Sequence, residues 1–395
     1  MSEQLKRRIG LGLLTAYGVG VMVGAGIYVL VGAVAEAAGL WAPLAFLIAG
    51  AIAAPTALSY AEWSARVPEA AGEAAYIRAG LNMPRLAVLV GLAIVLAGTI
   101  SAAAVLRGGV GYLTGIVDLP VWAGIAGLGL VLILVAALGV LESLGLAALF
   151  TAIELTGLGL IVWAGAGAAP VPGEPAALPG MWTGIGAGAL LAFFAFIGFE
   201  DMVNMAEEVR NPTRTLPRAI LLSLLVTTVL YALVAWAAVR AVPVAALAAS
   251  EQPLALVWQQ ARGGSAGFLS AIAVFAALNG VLAQVVMAAR VLFGLGKDGG
   301  ALGIFHHAHP RFGTPVLGTV LVGLAVIGAA LALPVEVLAG ATSTVLLAVF
   351  VLINAALVAV KRRVPGAPFR VPMAVPVAGV VLSALALIAG LAGQG

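Results

Sequence analysis

The stretch Gly24-Ala25-Gly26-Ile27-Tyr28 interrupts the first long apolar run of the chain, and Phe196-Ile197-Gly198-Phe199-Glu200 interrupts the sixth. Main chain that leaves helical geometry in lipid must find hydrogen-bond partners in protein, water or a ligand. Glycine suits such places because it adopts backbone angles that other residues avoid. If the chain holds two repeats of five helices, each break falls in the opening helix of its repeat. Such a pair indicates a central binding site in a secondary transporter.

The composition excludes a soluble globular protein. Apolar residues make up 63% of the 395 residues and charged residues 9%, with a mean hydropathy of +1.17. A soluble domain is about 25% charged. There is no cysteine, which excludes a disulfide framework, thiol catalysis and a cysteine metal site. The pI of 9.4 does not indicate nucleic-acid binding, because the basic residues are spread over many short loops.

The hydropathy pattern predicts about eleven membrane spans, since one crossing takes about 20 apolar residues. We number them 1 to 11; they lie near 12–35, 40–62, 86–113, 121–140, 145–167, 182–207 (broken), 217–239, 266–293, 315–333, 336–360 and 372–391. The first run is too long for a signal peptide and is expected to be retained.

The distribution of basic residues predicts the orientation. Of the 19 lysines and arginines, only Arg107, Arg240 and Arg262 fall on or near the side opposite the N-terminus. The positive-inside rule therefore predicts a cytoplasmic N-terminus and, with eleven spans, an outside C-terminus in the plasma (inner) membrane. We expect residues 1–168 to hold the first five-helix repeat, 180–361 the second and 371–392 an additional helix. No soluble domain is expected.

Further motifs accompany the two breaks in a fixed order along spans 1 to 10. They are Ala57–Glu62 with Gly72–Tyr76, Phe194–Glu200 with Glu207–Pro212, and Lys297–Gly299 with Gly313–Pro315. With these motifs and the Gly-Ala-Gly-Ile-Tyr break, the chain resembles the amino acid–polyamine–organocation (APC) permeases. The resemblance implies an all-α membrane protein of the LeuT type, with 5+5 inverted repeats and broken first and sixth helices.

The breaks themselves predict how an α-amino acid would be held. A half-helix N-terminus offers free N–H groups and a partial positive charge, so the N–H groups near Ala25, Gly26 and Ile27 suit a carboxylate. Carbonyls released before each break suit an ammonium group. The resemblance adds small residues of span 3 and polar residues of span 8. The predicted substrate-binding set is Met22, Val23, Gly24, Ala25, Gly26, Ile27, Ala97, Gly98, Ser101, Phe194, Ala195, Phe196, Ile197, Gly198, Asn279 and Gln284.

Glu154 is the predicted proton-coupling residue. It lies about ten residues into span 5, which places it ~15 Å deep. A charge at such a depth costs at least ~2.5 kcal/mol, so a buried acid there needs a reason. The resemblance aligns this position with a lysine in some proton-coupled members; the alternative is a neutral glutamic acid bonded between helices. Sodium coupling is disfavoured because no Ser or Thr lies between Ala271 and Leu295 of span 8.

Gating is assigned to Phe194, as a lid, and to Glu200 and Asp201, which follow the break in span 6. Capping of the helix start by the two acids is the structural alternative. The three histidines, His306, His307 and His309, are not expected to bind metal, because structural zinc sites need four converging ligands. No cofactor is expected, and no enzymatic constellation is present.

The sequence thus predicts a permease that moves an amino acid by alternating access, with a proton as coupling ion and the lipid bilayer as surroundings. A neutral amino acid is favoured. A cationic amino acid or polyamine carrier is the first alternative. A membrane amino acid sensor without transport is the second, and an ion channel or potassium carrier is disfavoured. The substrate and the oligomeric state stay open.

Overall fold

The computed structural model describes residues 9–24, 26–68, 72–138, 144–171, 181–206, 208–297, 300–310 and 312–392. Within these ranges the regular elements are helices, and β-structure is limited to one isolated bridge between Ile9 and Val209. Nine helical segments among the described residues are long and apolar enough to cross a membrane, and two shorter apolar helices accompany them.

The helices follow the eleven predicted spans to within a few residues at most ends. Span 7 differs most: it begins at Pro212 rather than near 217, because Pro212 occupies the first turn, where its missing N–H costs nothing. The spans are Leu11–Val23 with Gly26–Ala38, Ala42–Arg66, Pro84–Thr114, Val121–Leu138, Leu144–Gly167, Met181–Phe193 with its 3₁₀ segments, Pro212–Ala241, Gly267–Gly296, Val316–Ala332, Val335–Arg363 and Ala374–Ala392.

Both predicted breaks are present. The first half of span 1 ends at Gly24, whose φ of 25° and ψ of −138° turn the chain out of the helix, and the second half begins at Gly26. In span 6 the α-helix gives way to a 3₁₀ turn, Phe194–Phe196, then to an extended residue and to Gly198 at φ 126°. The remainder of span 6 is a 3₁₀ helix, Glu200–Met205, rather than an α-helix.

Short helices cover the two ends of the bundle. On the side of the first residues, Gly72–Leu81 connects spans 2 and 3, and the 3₁₀ helix Gly300–Phe305 follows span 8. On the opposite side, Val244–Ala248 and Pro253–Arg262 connect spans 7 and 8. Below, the N-terminal side means the side of the bundle on which Ile9 lies.

Long-range packing joins four helices of the first half to four of the second. The second half of span 1 packs on span 6, span 2 on span 7, span 3 on span 8, and span 4 on span 9. Small residues allow these close approaches. A Cβ on Gly109 would overlap the Ala277 side chain across spans 3 and 8, and one on Gly50 would lie 2.7 Å from the Thr228 hydroxyl across spans 2 and 7.

The start of span 1 is tied to the loop after span 6. The Ile9 N–H donates to the Glu208 carbonyl (3.0 Å), and the Arg210 N–H donates to the Ile9 carbonyl (2.9 Å). The start of the described chain and the loop between spans 6 and 7 therefore lie on the same side of the membrane, as an even number of crossings between them requires.

A buried charge network fastens spans 2, 10 and 11 on the N-terminal side. Glu62 Oε1 accepts two bonds from the Arg66 guanidinium (2.8 and 2.6 Å). Glu62 Oε2 accepts from Lys361 Nζ (2.6 Å) and from the Val371 N–H (2.9 Å). Lys361 also donates to the Val371 carbonyl (2.7 Å). The Glu62 carboxylate is fully buried, so these charge-assisted bonds offset a large desolvation cost.

The variant Glu62→Gln tests this network. It removes the counter-charge of both Lys361 and Arg66 while keeping the size of the side chain, and a buried charge without its partner costs about 3–5 kcal/mol. We therefore expect the thermal unfolding temperature in detergent to fall by several degrees. Glu36→Gln, at an exposed position of span 1, is the matched control and should leave it unchanged. Equal unfolding temperatures for the two variants would contradict a stabilising role of the Glu62 network.

Candidate functional site

The two broken helices touch at their breaks. A Cβ placed on Gly26 would lie 3.0 Å from the Ala195 Cα. One placed on Gly198 would lie 2.7 Å from Val21 Cγ1 and 3.1 Å from the Met22 main-chain nitrogen. Only glycine permits this approach at the two positions. The unwound main chain of spans 1 and 6 therefore meets in the middle of the bundle, as the sequence predicts.

Tyr231 of span 7 links the two breaks. Its buried hydroxyl lies 2.7 Å from the Met22 carbonyl oxygen and 2.9 Å from the Ala195 carbonyl oxygen, so it donates to one or the other. The ring is held edge-on by Phe196 and Phe46, at centroid distances of 5.2 and 5.7 Å. Sequence reasoning missed this residue. Its signal was that it is the one tyrosine of span 7.

A narrow pocket lies next to the crossing, with a cavity volume of about 10 Å³, which is room for one water molecule. Gly280 of span 8 is level with Gly24, and Gln284 follows four residues later, so the pocket lies ~6 Å from the crossing toward the N-terminal side. Spans 3, 6, 8 and 10 contribute to its wall. The lining residues are Ile94, Ala97, Gly98, Ser101, Ile197, Glu200, Asp201, Gln284, Met287 and Leu346.

The two acids of the pocket are each bonded to a protein donor. Glu200 Oε2 accepts from the Gly198 N–H (2.9 Å), which satisfies a main-chain donor of the break, and no side chain caps the 3₁₀ segment that follows. Asp201 Oδ2 accepts from Gln284 Nε2 (2.9 Å), which joins span 6 to span 8. Both acids are at most 5% exposed. They face a pocket whose other walls are mostly apolar.

The structure places the predicted binding residues in two main groups. One group lines the pocket, together with the predicted gating residues Glu200 and Asp201: Ala97, Gly98, Ser101, Ile197 and Gln284. The other group lies at the crossing or adjoins it in the chain: Met22, Val23, Gly24, Gly26, Ile27, Phe194, Ala195, Phe196 and Gly198.

Two predicted residues belong to neither group. Asn279 lies toward span 5, and Ala25 falls outside the described residues.

Glu154 of span 5 is buried beside this crossing. It is 1% exposed, and neither carboxyl oxygen has a hydrogen-bond partner in the described part of the chain. The Asn279 side chain lies close to it, and its charge reaches the hydroxyls of Tyr28 and Tyr231. Tyr28 also donates to the Glu154 main-chain carbonyl (3.1 Å). The acid is thus placed between spans 1, 5, 7 and 8, with the Asn279 side chain as a nearby polar group.

The three histidines lie in the segment that follows span 8. The described residues contain no group of three His, Asp or Glu side chains suited to a metal ion. His306 contacts the Phe293 carbonyl through Nδ1 (3.1 Å) and packs on the Phe293 ring, which gives it a structural role.

Comparison with known proteins places this architecture in a family. A family model described as "Amino acid permease" matches residues 9–393. The chain belongs to the amino acid permeases of the APC superfamily. It is therefore a multi-pass membrane transporter and not an enzyme.

Similar curated proteins differ in the substrates that their names state. The permease is 30% identical to the branched-chain amino acid permease BcaP of Bacillus subtilis, over 93% of this chain and 83% of the relative. It is 28% identical to the methylthioribose transporter of the same species, over 87% of this chain and 79% of that protein. It is 34% identical to the vacuolar cationic amino acid transporter 2 of Arabidopsis thaliana, over 92% of this chain but 61% of that longer protein.

The variant Gly26→Ala tests the crossing. The added methyl group meets main-chain atoms of Ala195, so the two breaks must move apart. We expect the affinity for a labelled amino acid to fall on the order of tenfold or more. Gly186→Ala is the matched control, since a Cβ there meets nothing within 4 Å. Wild-type affinity in Gly26→Ala, measured by scintillation proximity on purified protein, would contradict this placement.

Proposed function

We propose that this permease carries a neutral, apolar amino acid by proton-coupled alternating access. The observation that carries the proposal is the contact between two unwound helices beside a mostly apolar pocket. The second half of span 1 begins at Gly26, so its first N–H groups have no partner within the helix. These donors and the local dipole favour the α-carboxylate of an amino acid.

The acceptor side of the crossing suits the α-ammonium group. The Met22 and Ala195 carbonyl oxygens both lie within hydrogen-bond distance of the Tyr231 hydroxyl, whose single hydrogen can be donated to only one of them at a time. One oxygen therefore always keeps its full acceptor capacity, and the other keeps a second lone pair. An ammonium group brings three donors and would satisfy these oxygens. Donors and acceptors side by side match the zwitterion that all α-amino acids share.

The wall of the pocket supports an apolar side chain. Ile94, Ile197, Met287 and Leu346 are the large apolar residues of its lining. The acids Glu200 and Asp201 already accept bonds from Gly198 and Gln284 and need no cation from the substrate to be hydrogen-bonded. The similarity to a branched-chain amino acid permease supports the same choice.

A cationic substrate is the second candidate, and a specific observation favours it. Glu200 and Asp201 lie in the pocket wall and keep further lone pairs, which a guanidinium or ammonium group could use. Several relatives are named cationic amino acid transporters.

Competition of uptake separates the two candidates. Purified permease is reconstituted in proteoliposomes with the uptake of labelled leucine as the readout, and unlabelled isoleucine, arginine, putrescine or methylthioribose is added in excess. We expect isoleucine to abolish the uptake and arginine and putrescine to leave most of it. Strong inhibition by arginine with none by isoleucine would overturn the neutral assignment, and binding without uptake would favour a sensor.

We further propose that residues 1–168 and 180–361 are inverted repeats, with 371–392 as an additional helix. The broken first and sixth spans and the packing of spans 1 to 4 on spans 6 to 9 support this division. The distribution of basic residues supports a plasma-membrane protein with a cytoplasmic N-terminus and an outside C-terminus.

Glu154 is the proposed carrier of the coupling proton. It is a buried carboxyl without a bonded partner in the described structure, beside the main chain that would hold the substrate. An ionisable residue inside a membrane span is rare and is by default a candidate for a functional role such as a proton relay. Its nearness to Tyr28 and Tyr231 links its protonation to both breaks.

The variant Glu154→Gln tests the coupling. Glutamine keeps the size and polarity of the acid but cannot release a proton, so accumulation driven by a pH gradient should be lost. Exchange of internal for external amino acid should continue, because the binding site is intact. Glu36→Gln, at an exposed position of span 1, is the control. Undiminished pH-driven accumulation in Glu154→Gln would refute the coupling role.

A further inference from the structure

The short helix Gly72–Leu81 covers the N-terminal side of the bundle. It packs on spans 3 and 10 and on the 3₁₀ segment of span 6 that carries Glu200 and Asp201. Residues with positive φ lie at both of its ends: Gly72 at 51° and Asn82 at 54°. The helix is thus a separate rigid piece between two points where the chain changes direction.

The buried face of this helix rests on an aromatic cluster. The Tyr76 ring stacks on Trp63 at a centroid distance of 5.0 Å and meets Tyr60 edge-on at 6.1 Å. Tyr60 in turn contacts Phe199 and Phe350. Phe199 directly precedes Glu200, so the cluster connects the covering helix to the wall of the pocket.

Glu73 places a carboxyl group in this apolar contact. It is 4% exposed, and its Oε1 accepts a hydrogen bond from the Tyr60 hydroxyl (3.1 Å). Its charge reaches Glu200 and Asp201. Three acids are therefore buried within electrostatic range of one another, and no mechanism described above uses Glu73.

The cations on the surrounding elements are engaged elsewhere or exposed. Lys361 of span 10 and Arg66 of span 2 pair with Glu62, and Arg363 donates to the Gly80 carbonyl at the far end of the covering helix. Spans 2, 3, 6 and 10 carry further charged or titratable groups on the N-terminal side, and the covering helix itself carries Tyr76 and Arg78. The groups on the spans are Tyr60, Glu62, Arg66, Arg85, Glu200, Asp201, Lys361, Arg362 and Arg363.

We propose that the helix Gly72–Leu81 is a proton-operated cover of the pocket, which the protonated Glu73 carboxyl holds closed. In its protonated form the carboxyl is neutral and fits among Tyr60, Tyr76 and the two pocket acids. Loss of the proton places a third negative charge beside Glu200 and Asp201 in an apolar site. The covering helix then moves outward at its two end residues, and the carboxylate reaches water.

The pKa of Glu73 supports this direction. Burial raises it from the ordinary 4.5 to about 7, although the hydrogen bond from Tyr60 lowers it. The closed state therefore binds the proton more tightly than the open state. Acid favours closure, and the closed state is lost as the pH rises from the ordinary value toward 7. With a pKa of about 7 in the closed state and the ordinary value in the open state, the ratio of open to closed molecules should grow about tenfold between pH 6 and pH 8.

The absence of native cysteine permits a direct test. Ile77→Cys places a thiol on the buried face of the covering helix, and Ala79→Cys places one on its exposed face. Both are labelled with a maleimide in detergent at pH 6 and pH 8. The rate for the buried-face variant divided by the rate for the exposed-face variant cancels the pH dependence of the thiol itself. We expect this ratio to rise about tenfold with pH.

Two further variants locate the proton. Glu73→Gln in both backgrounds should make the ratio independent of pH and leave it at the low value of pH 6. Tyr60→Phe removes a bond that lowers the pKa of Glu73, so the rise should shift to higher pH. A ratio that stays flat in the parent, or that still rises in Glu73→Gln, would overturn the proposal. This proposal rests on the proposed transport function, but the labelling experiment does not measure transport. Its result is therefore independent of the test of proton coupling through Glu154.

Discussion

The structure depends on one constraint: main chain that leaves helical geometry inside lipid must still have its polar groups satisfied. Spans 1 and 6 break at the same depth and touch there. Neighbouring side chains then satisfy part of the exposed main chain. The Tyr231 hydroxyl serves the carbonyls of Met22 and Ala195, and the Glu200 carboxyl serves the Gly198 N–H. The proposed function uses the main-chain groups that remain open there to bind a zwitterion, so binding and folding would draw on the same set of hydrogen bonds.

The buried acids of this permease fall into distinct classes by their surroundings. Glu62 is a structural anion, because two cations and one N–H group surround it. Glu200 and Asp201 are held by neutral donors at the pocket. Glu154 and Glu73 are buried in places where no cation pairs with them in the described structure. Pairing with two cations marks Glu62 as structural, whereas the proton roles proposed for Glu154 and Glu73 depend on buried carboxyls that have no such pairing.

Much of this arrangement could be predicted from the sequence. The glycines at 24, 26 and 198 predict both breaks because few other residues adopt such backbone angles, and hydropathy predicts the spans because each crosses a fixed thickness of lipid. The small residues Ala97, Gly98 and Ser101 were placed at the site through family resemblance, and the pocket contains them. Tyr231 and Glu73 could not be placed in this way. Their roles depend on which carbonyl or hydroxyl a distant helix brings near, and hydropathy carries no information about such contacts.

The most direct test of the account is a structure of the permease in lipid nanodiscs with a bound substrate such as leucine. The account predicts the α-carboxylate within hydrogen-bond distance of the Gly26 and Ile27 N–H groups, the ammonium at the Met22 and Ala195 carbonyls, and the side chain in the pocket with Ile197. An amino acid seated away from the crossing, or an uninterrupted helix in place of either break, would contradict it.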